Sequence, residues 1–168
     1  MTEQSTPTSM NRPNRQREAE FQMVPAPVPD ETDLVVVDTT WGEIQPMSPA
    51  AGVHTVGELE LRELVAHGAL LVDSRNQEQF QTATLPGAVH IPFSDVLDRR
   101  NELEDADQVV FFCNGPQCPQ SPTAITQLVE DGFPAQRIAY YRGGMHDWVT
   151  LGLPTSPGTA ARGESAEK

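Results

Sequence analysis

The sequence is short of cysteine, of positive charge and of long apolar runs, and each shortage removes a class of protein. Two cysteines in 168 residues are too few for a secreted disulfide framework or a four-cysteine zinc site. Lys and Arg number 11 against 24 Asp and Glu, a formal net charge of -13, with a pI near 4.5. Phosphate backbones and anionic membranes both require clustered Lys and Arg, so no nucleic-acid and no membrane partner is expected. No stretch approaches the ~18 apolar residues of a membrane-crossing helix. The opening MTEQSTPTSMNRPNRQREAEFQM lacks the apolar core of a secretory signal. The expectation is a soluble cytoplasmic protein, in which a cysteine pair is reactive or buried rather than permanently bridged.

What is present divides the chain. The length suits one ordinary domain with tails. Pro7, Pro13, Pro25, Pro27, Pro29, Pro46 and Pro49 crowd the first 50 residues. Residues 1–31, polar and proline-spaced, read as a disordered arm. Residues 32–54 read as an extended segment, either docked on the domain or free. In it, Leu34-Val35-Val36-Val37 suits a short strand, and Trp41, Ile44 and Met47 are the side chains that would pack it. Residues 55–155 form the expected domain, and the small, polar residues 156–168 a disordered tail.

Inside the domain, strand and helix patterns alternate. Thr55 would cap a helix whose stripe is Val56, Leu59, Leu61, Leu64 and Val65, ended by Gly68. Ala69 to Asp73 and Val109 to Phe112 are continuous apolar runs, the pattern of strands covered on both faces. Further strands are expected at Val89–Ile91 and Arg137–Tyr141, and short helices at Asn76–Gln81 and Met145–Leu151. Two more helices would be capped by Ser94 and by Ser121, the latter with Pro122 at its first position. Such alternation predicts an α/β fold, a central parallel sheet with helices on both faces. Ligands of such folds sit beyond the carboxyl ends of the strands. Asp73 with Arg75, Cys113 with its loop, and Arg142 with Gly143-Gly144 share that region.

The loop Cys113-Asn114-Gly115-Pro116-Gln117-Cys118-Pro119-Gln120-Ser121 leaves a buried strand and enters a helix. Backbone N–H groups converge there and favour an anion, so a thiolate gains and becomes nucleophilic. The competing reading is a small buried cysteine at a strand end. Cys118 is a resolving thiol, the nucleophile itself, or an incidental loop residue. The histidines His54, His67, His90 and His146 show no metal-ligand spacing, so neither metal nor cofactor is expected.

Four segments, in order and spacing, resemble the rhodanese-like domain. They are Leu71-Val72-Asp73-Ser74-Arg75, Leu85-Pro86-Gly87-Ala88-Val89-His90-Ile91-Pro92, Val109 to Gly115, and Tyr141-Arg142-Gly143-Gly144-Met145-His146-Asp147-Trp148 with Gly152-Leu153-Pro154. The resemblance implies the three-layer rhodanese-like fold. It also implies a catalytic cysteine at Cys113 that accepts sulfane sulfur as a persulfide and passes it to a thiol. On that reading Asn114, Gly115, Pro116, Gln117, Gln120, Ser121 and Arg142 line the substrate site, and Asp73 and Arg75 brace the loop.

The loop departs from the family pattern. It lacks the usual Lys or Arg, its first serine is Ser121, and Ala83-Thr84 stands where a Gly-His pair is usual. Without a loop cation, a persulfidated thiol or protein is a better sulfur donor than a small anion, although a small sulfur donor is retained. Phosphatase chemistry, which needs Cys-x5-Arg, meets Pro119 at the Arg position. The expected activity is a sulfurtransferase of thiosulfate or thiol type, or a sulfur carrier. The alternatives are a dithiol redox or sensor module using Cys113 and Cys118, and a catalytically silent interaction domain.

Overall fold

The computed structural model describes residues 26–27, 30, 35–36 and 43–159. In the domain, five parallel strands form one sheet in the order β3-β7-β6-β4-β5. These are β3 (His54–Thr55), β4 (Leu70–Asp73), β5 (Val89–His90), β6 (Val109–Phe112) and β7 (Ile138–Tyr141). Ahead of them, β1 (Ala26–Pro27) pairs antiparallel with β2 (Val35–Val36). That pair keeps the centre of the strand expected at Leu34–Val37. Trp41, most of the expected arm and residues 160–168 of the expected tail lie outside the described residues.

The expected three layers are present. Alternation along β6 sends Val109 and Phe111 to one face and Val110 and Phe112 to the other. The first face packs against Ala124, Ile125 and Leu128 of α3 (Gln120–Glu130). The second packs against Leu61 of α1 (Glu58–Ala66) and Met145 and Trp148 of α4 (Gly144–Thr150). All four β6 side chains are fully buried, each worth about 1.5–3 kcal/mol of transfer free energy. The short α2 (Gln77–Thr82) is capped by Asn76, whose side chain accepts from Gln79 N.

Several boundaries differ from expectation for local reasons. Thr55 belongs to β3 and donates its hydroxyl to Met47 O, so α1 starts after Gly57 instead. Leu59 is 76% exposed: it lies two residues from Leu61, on the opposite side of the helix from Leu61, Leu64 and Val65. Ser94 caps no helix; its hydroxyl bonds Asp95, and two 3-10 turns (Phe93–Asp95, Arg100–Leu103) replace the expected helix. Asp95, Asp98 and Asn101 in this stretch favour turns over helix interior. α3 begins at Gln120, so Ser121 and Pro122 lie in its first turn. Ile44 and Met47 are 70% and 66% exposed and do not anchor the leading segment, which is held by polar contacts instead. At the other end, Ser156 pairs with Thr84 and Gly158 N donates to Phe80 O, so the chain stays attached past residue 155.

Candidate active site

The carboxyl ends of β4, β6 and β7 converge on the cysteine loop. Behind β4, Asp73 and Arg75 form a buried ion pair, Arg75 Nη2 to Asp73 Oδ2 at 2.7 Å. Arg75 N and Nε both donate to Asp73 Oδ1 at 3.0 Å. The Thr84 hydroxyl donates to Asp73 Oδ2 at 2.8 Å, and Ala83 O accepts from Arg75 at 2.6 Å. The Ala83-Thr84 departure thus supplies two polar contacts to this pair. From it, Arg75 Nη1 reaches the Asn114 side-chain oxygen at 3.3 Å, holding the start of the loop.

On the other side, α4 presents its first amides to the loop. Met145 N donates to Cys113 O at 3.0 Å and His146 N to Asn114 O at 2.8 Å. Gly144 makes this approach possible: its φ is +58°, and a Cβ there would lie 2.4 Å from Cys113 O. Gly115-Pro116-Gln117-Cys118 closes a turn, Cys118 N to Gly115 O at 3.0 Å, with proline in its favoured second position. Gly115 is buried and Pro116, Gln117 and Gln120 are half-buried, while Pro119 is exposed.

Both thiols are free, with Cys113 1% and Cys118 0% exposed. The Ser121 amide, in the first turn of α3, donates to Cys113 Sγ at 3.4 Å. Its hydroxyl faces Ser74 Oγ at 3.2 Å. Burial pushes the Cys113 thiol up, but hydrogen bonds from the Cys118 thiol, the Ser121 amide and hydroxyl, and the Gly115 amide outweigh it and hold its pKa below the ordinary value. Cys118 moves the other way. Burial, its hydrogen bond to Cys113 and the charge of Cys113 push its pKa far up, against the amides of Asn114 and Gln120. The Cys118 thiol also lies 3.4 Å from Gln120 Oε1. One loop therefore holds an acidic thiol and a proton-retaining thiol side by side.

Arg142 is not directed at the sulfurs as a free cation. Its Nη2 donates to Gln45 O at 2.8 Å and its Nε to Pro46 O at 3.3 Å. Gln45 N in turn donates to Pro116 O at 2.8 Å. Gln45 and Pro46 therefore dock in cis against the cysteine loop, and Arg142 ties them there. Ser74, Thr84 and the Gln45-Pro46 carbonyls were not among the expected site residues. Ser74 stood inside a recognised segment and, as a small polar residue at a strand end, was the readable one. Backbone carbonyls leave no side-chain signal.

The fold and much of the domain's sequence are shared with known proteins. A model of the Rhodanese-like domain matches residues 58–151. An HTH-type transcriptional regulator of Mycobacterium tuberculosis is 34% identical over 98 residues, 58% of this chain and 42% of its own. Human thiosulfate:glutathione sulfurtransferase is 33% identical over 116 residues, 59% of this chain and 96% of its own. The crystal structure of a thiosulfate sulfurtransferase from Pseudomonas aeruginosa superposes with a TM-score of 0.53 at 23% identity, over 64% of this chain and 21% of that one. The chain thus spans well under two thirds of the regulator's length but nearly all of the human enzyme's. With that family's domain matched across more than half of the chain, this chain belongs to the rhodanese-like family.

Proposed function

We propose that the domain is a sulfurtransferase or sulfur carrier that holds sulfane sulfur as a persulfide on Cys113. The Cys113 thiolate attacks the outer sulfur of a donor persulfide. A new S–S bond forms on Cys113, and the donor leaves as its thiolate. The loaded sulfur then passes to an acceptor thiol. Cys118 offers an internal exit: its thiol attacks Cys113 Sγ, an intramolecular disulfide forms, and hydrosulfide leaves carrying the proton. An external thiol must then reduce the disulfide. The single observation carrying this reading is the Ser121 amide on Cys113 Sγ beside the protonated Cys118, which favours Cys113 over Cys118 as the acceptor sulfur. With Arg142 engaged by Gln45 and Pro46, a persulfidated thiol or protein in the reducing cytoplasm suits the site better than a small anion.

The test is mass spectrometry after exposure to inorganic polysulfide. Wild type and Cys118→Ser gain the mass of one sulfur atom at Cys113, with the adduct longer-lived in Cys118→Ser, and Cys113→Ser gains none. Absence of the adduct from wild type and Cys118→Ser overturns the proposal. The hydrogen-bonded thiol pair also favours a second reading, a dithiol redox module. It requires a reversible Cys113–Cys118 disulfide formed by oxidation without any sulfur donor.

A further inference from the structure

Tyr140 lies on β7 and is wholly buried, yet its hydroxyl has no hydrogen-bond partner among the described residues. Buried tyrosine hydroxyls ordinarily find one, because an unpaired polar group in a dry interior costs free energy. Its position is pointed. The register pairs Phe111 with Tyr140 and Phe112 with Tyr141. Phe111 and Tyr140 share the sheet face covered by α3, the helix whose first turn supplies the Ser121 amide to Cys113. Burial first, and then the neighbouring cysteines of the loop, push the Tyr140 hydroxyl's pKa up, while Arg142 pulls it down. Tyr140 therefore lies under the helix whose first turn serves Cys113, and its phenol remains a protonated donor.

The cradle itself is already engaged. The amides of Ser121 and Gly115 serve Cys113, and those of Asn114 and Gln120 serve Cys118. The Cys118 amide is taken by Gly115 O, and Pro116 and Pro119 have no N–H. A second sulfur on Cys113 adds an anionic acceptor to a pocket where the amides of Asn114, Gly115, Cys118, Gln120 and Ser121 are already in use. The geometry points to the Tyr140 hydroxyl as the hydrogen-bond donor to that loaded sulfur, unpaired in the empty domain and paired in the persulfide form. This inference rests on the persulfide reading above and assigns the site a further binding residue for its cargo.

Tyr140→Phe tests it. Wild type and variant are loaded with inorganic polysulfide, and the loss of the sulfur to potassium cyanide is followed against pH. Loss of a hydrogen bond to a charged sulfur should speed release about tenfold. It should also raise the pH midpoint of the persulfide, with a melting temperature unchanged or higher, since the orphaned hydroxyl is gone. In the wild type, loading should shift the tyrosine absorption band to the red, and that shift should survive Tyr141→Phe and vanish in Tyr140→Phe. Release at the wild-type rate and midpoint in Tyr140→Phe overturns the inference while leaving the persulfide reading intact. So does an unchanged tyrosine band on loading of the wild type, a measurement that holds even if the variant fails to fold. Failure of the wild type to load overturns both.

Discussion

The backbone amide of Ser121 points at Cys113 Sγ from 3.4 Å, so the first turn of α3 serves the sulfur directly. With the Cys118 thiol, it reverses the effect of burial on Cys113. Alkylation of Cys113 should therefore show a pH midpoint below the ordinary thiol value of about 8.5. Cys118 should show none up to the alkaline limit of folding. Cys118→Ala removes a donor and should move the Cys113 midpoint up. Stability follows the same signs. Cys113 has a depressed pKa, so its contribution is complete above the ordinary thiol value and is lost as pH falls through the depressed one. Cys118, with a raised pKa, gives a contribution present below the ordinary value and lost as pH rises beyond it. Peptide mapping of alkylation rates, together with urea titrations against pH, checks both.

Removing the Asp73 carboxylate should be far more damaging than removing the Thr84 hydroxyl that touches it. Asp73 is the acceptor for Arg75 N, Nε and Nη2 as well as for Thr84. Asp73→Ala leaves the Arg75 guanidinium buried without its counter-charge, a loss of about 3–5 kcal/mol. Thr84→Val leaves the ion pair whole and should cost about 1 kcal/mol. Urea unfolding separates the two, and Asp73→Ala should also abolish sulfur loading, because Arg75 holds Asn114 at the loop's start.

The sheet was legible because β4, β6 and β7 are buried on both faces and read as near-continuous apolar runs, LLVD ending in a carboxylate, VVFF and IAYY. The helices expected to start at Thr55 and Ser121 begin elsewhere for a shared reason. Each residue has a preferred cap chemistry but meets a tertiary partner instead, Met47 O for Thr55, and Cys113 and Ser74 for Ser121. The site's ordered segments were legible as a family pattern. The partner of Arg142 was not, since the Gln45 and Pro46 carbonyls that receive it carry no residue-type signature, and the apolar Ile44 and Met47 beside them drew the expectation toward packing.

Gly144→Ala should disable the loop even though it adds one methyl group. The left-handed backbone alone costs a non-glycine residue about 1–3 kcal/mol. The added Cβ would also meet Cys113 O at 2.4 Å and Gly115 N at 2.8 Å. Relief requires α4 to move away from the loop, which breaks the Met145 and His146 amide contacts to Cys113 O and Asn114 O. For Gly143→Ala the three nearest atoms all belong to the Asp147 side chain rather than to backbone, and φ at Gly143 is an ordinary -60°, so it should be the milder change. Melting temperature and sulfur loading, measured on both variants, should fall much further for Gly144→Ala.

Arg142→Ala should expose the thiols without unfolding the domain. Among the described residues, the guanidinium bonds carbonyl oxygens alone, Gln45 O and Pro46 O, and it is partly exposed. Solvent therefore replaces much of what is lost, and the stability cost should stay near 1 kcal/mol or less. What changes is the hold on Gln45 and Pro46, which also reach the loop through Gln45 N on Pro116 O. With both sulfurs almost fully buried, a reagent must wait for the loop to open, and a freer segment opens it more often. Iodoacetamide should label Cys113 several-fold faster in Arg142→Ala than in wild type at a pH where the thiolate is fully formed in both. Arg142→Lys keeps one donor to the same carbonyls and should fall between them. Equal rates in all three proteins would mean that the segment does not control access to the thiol.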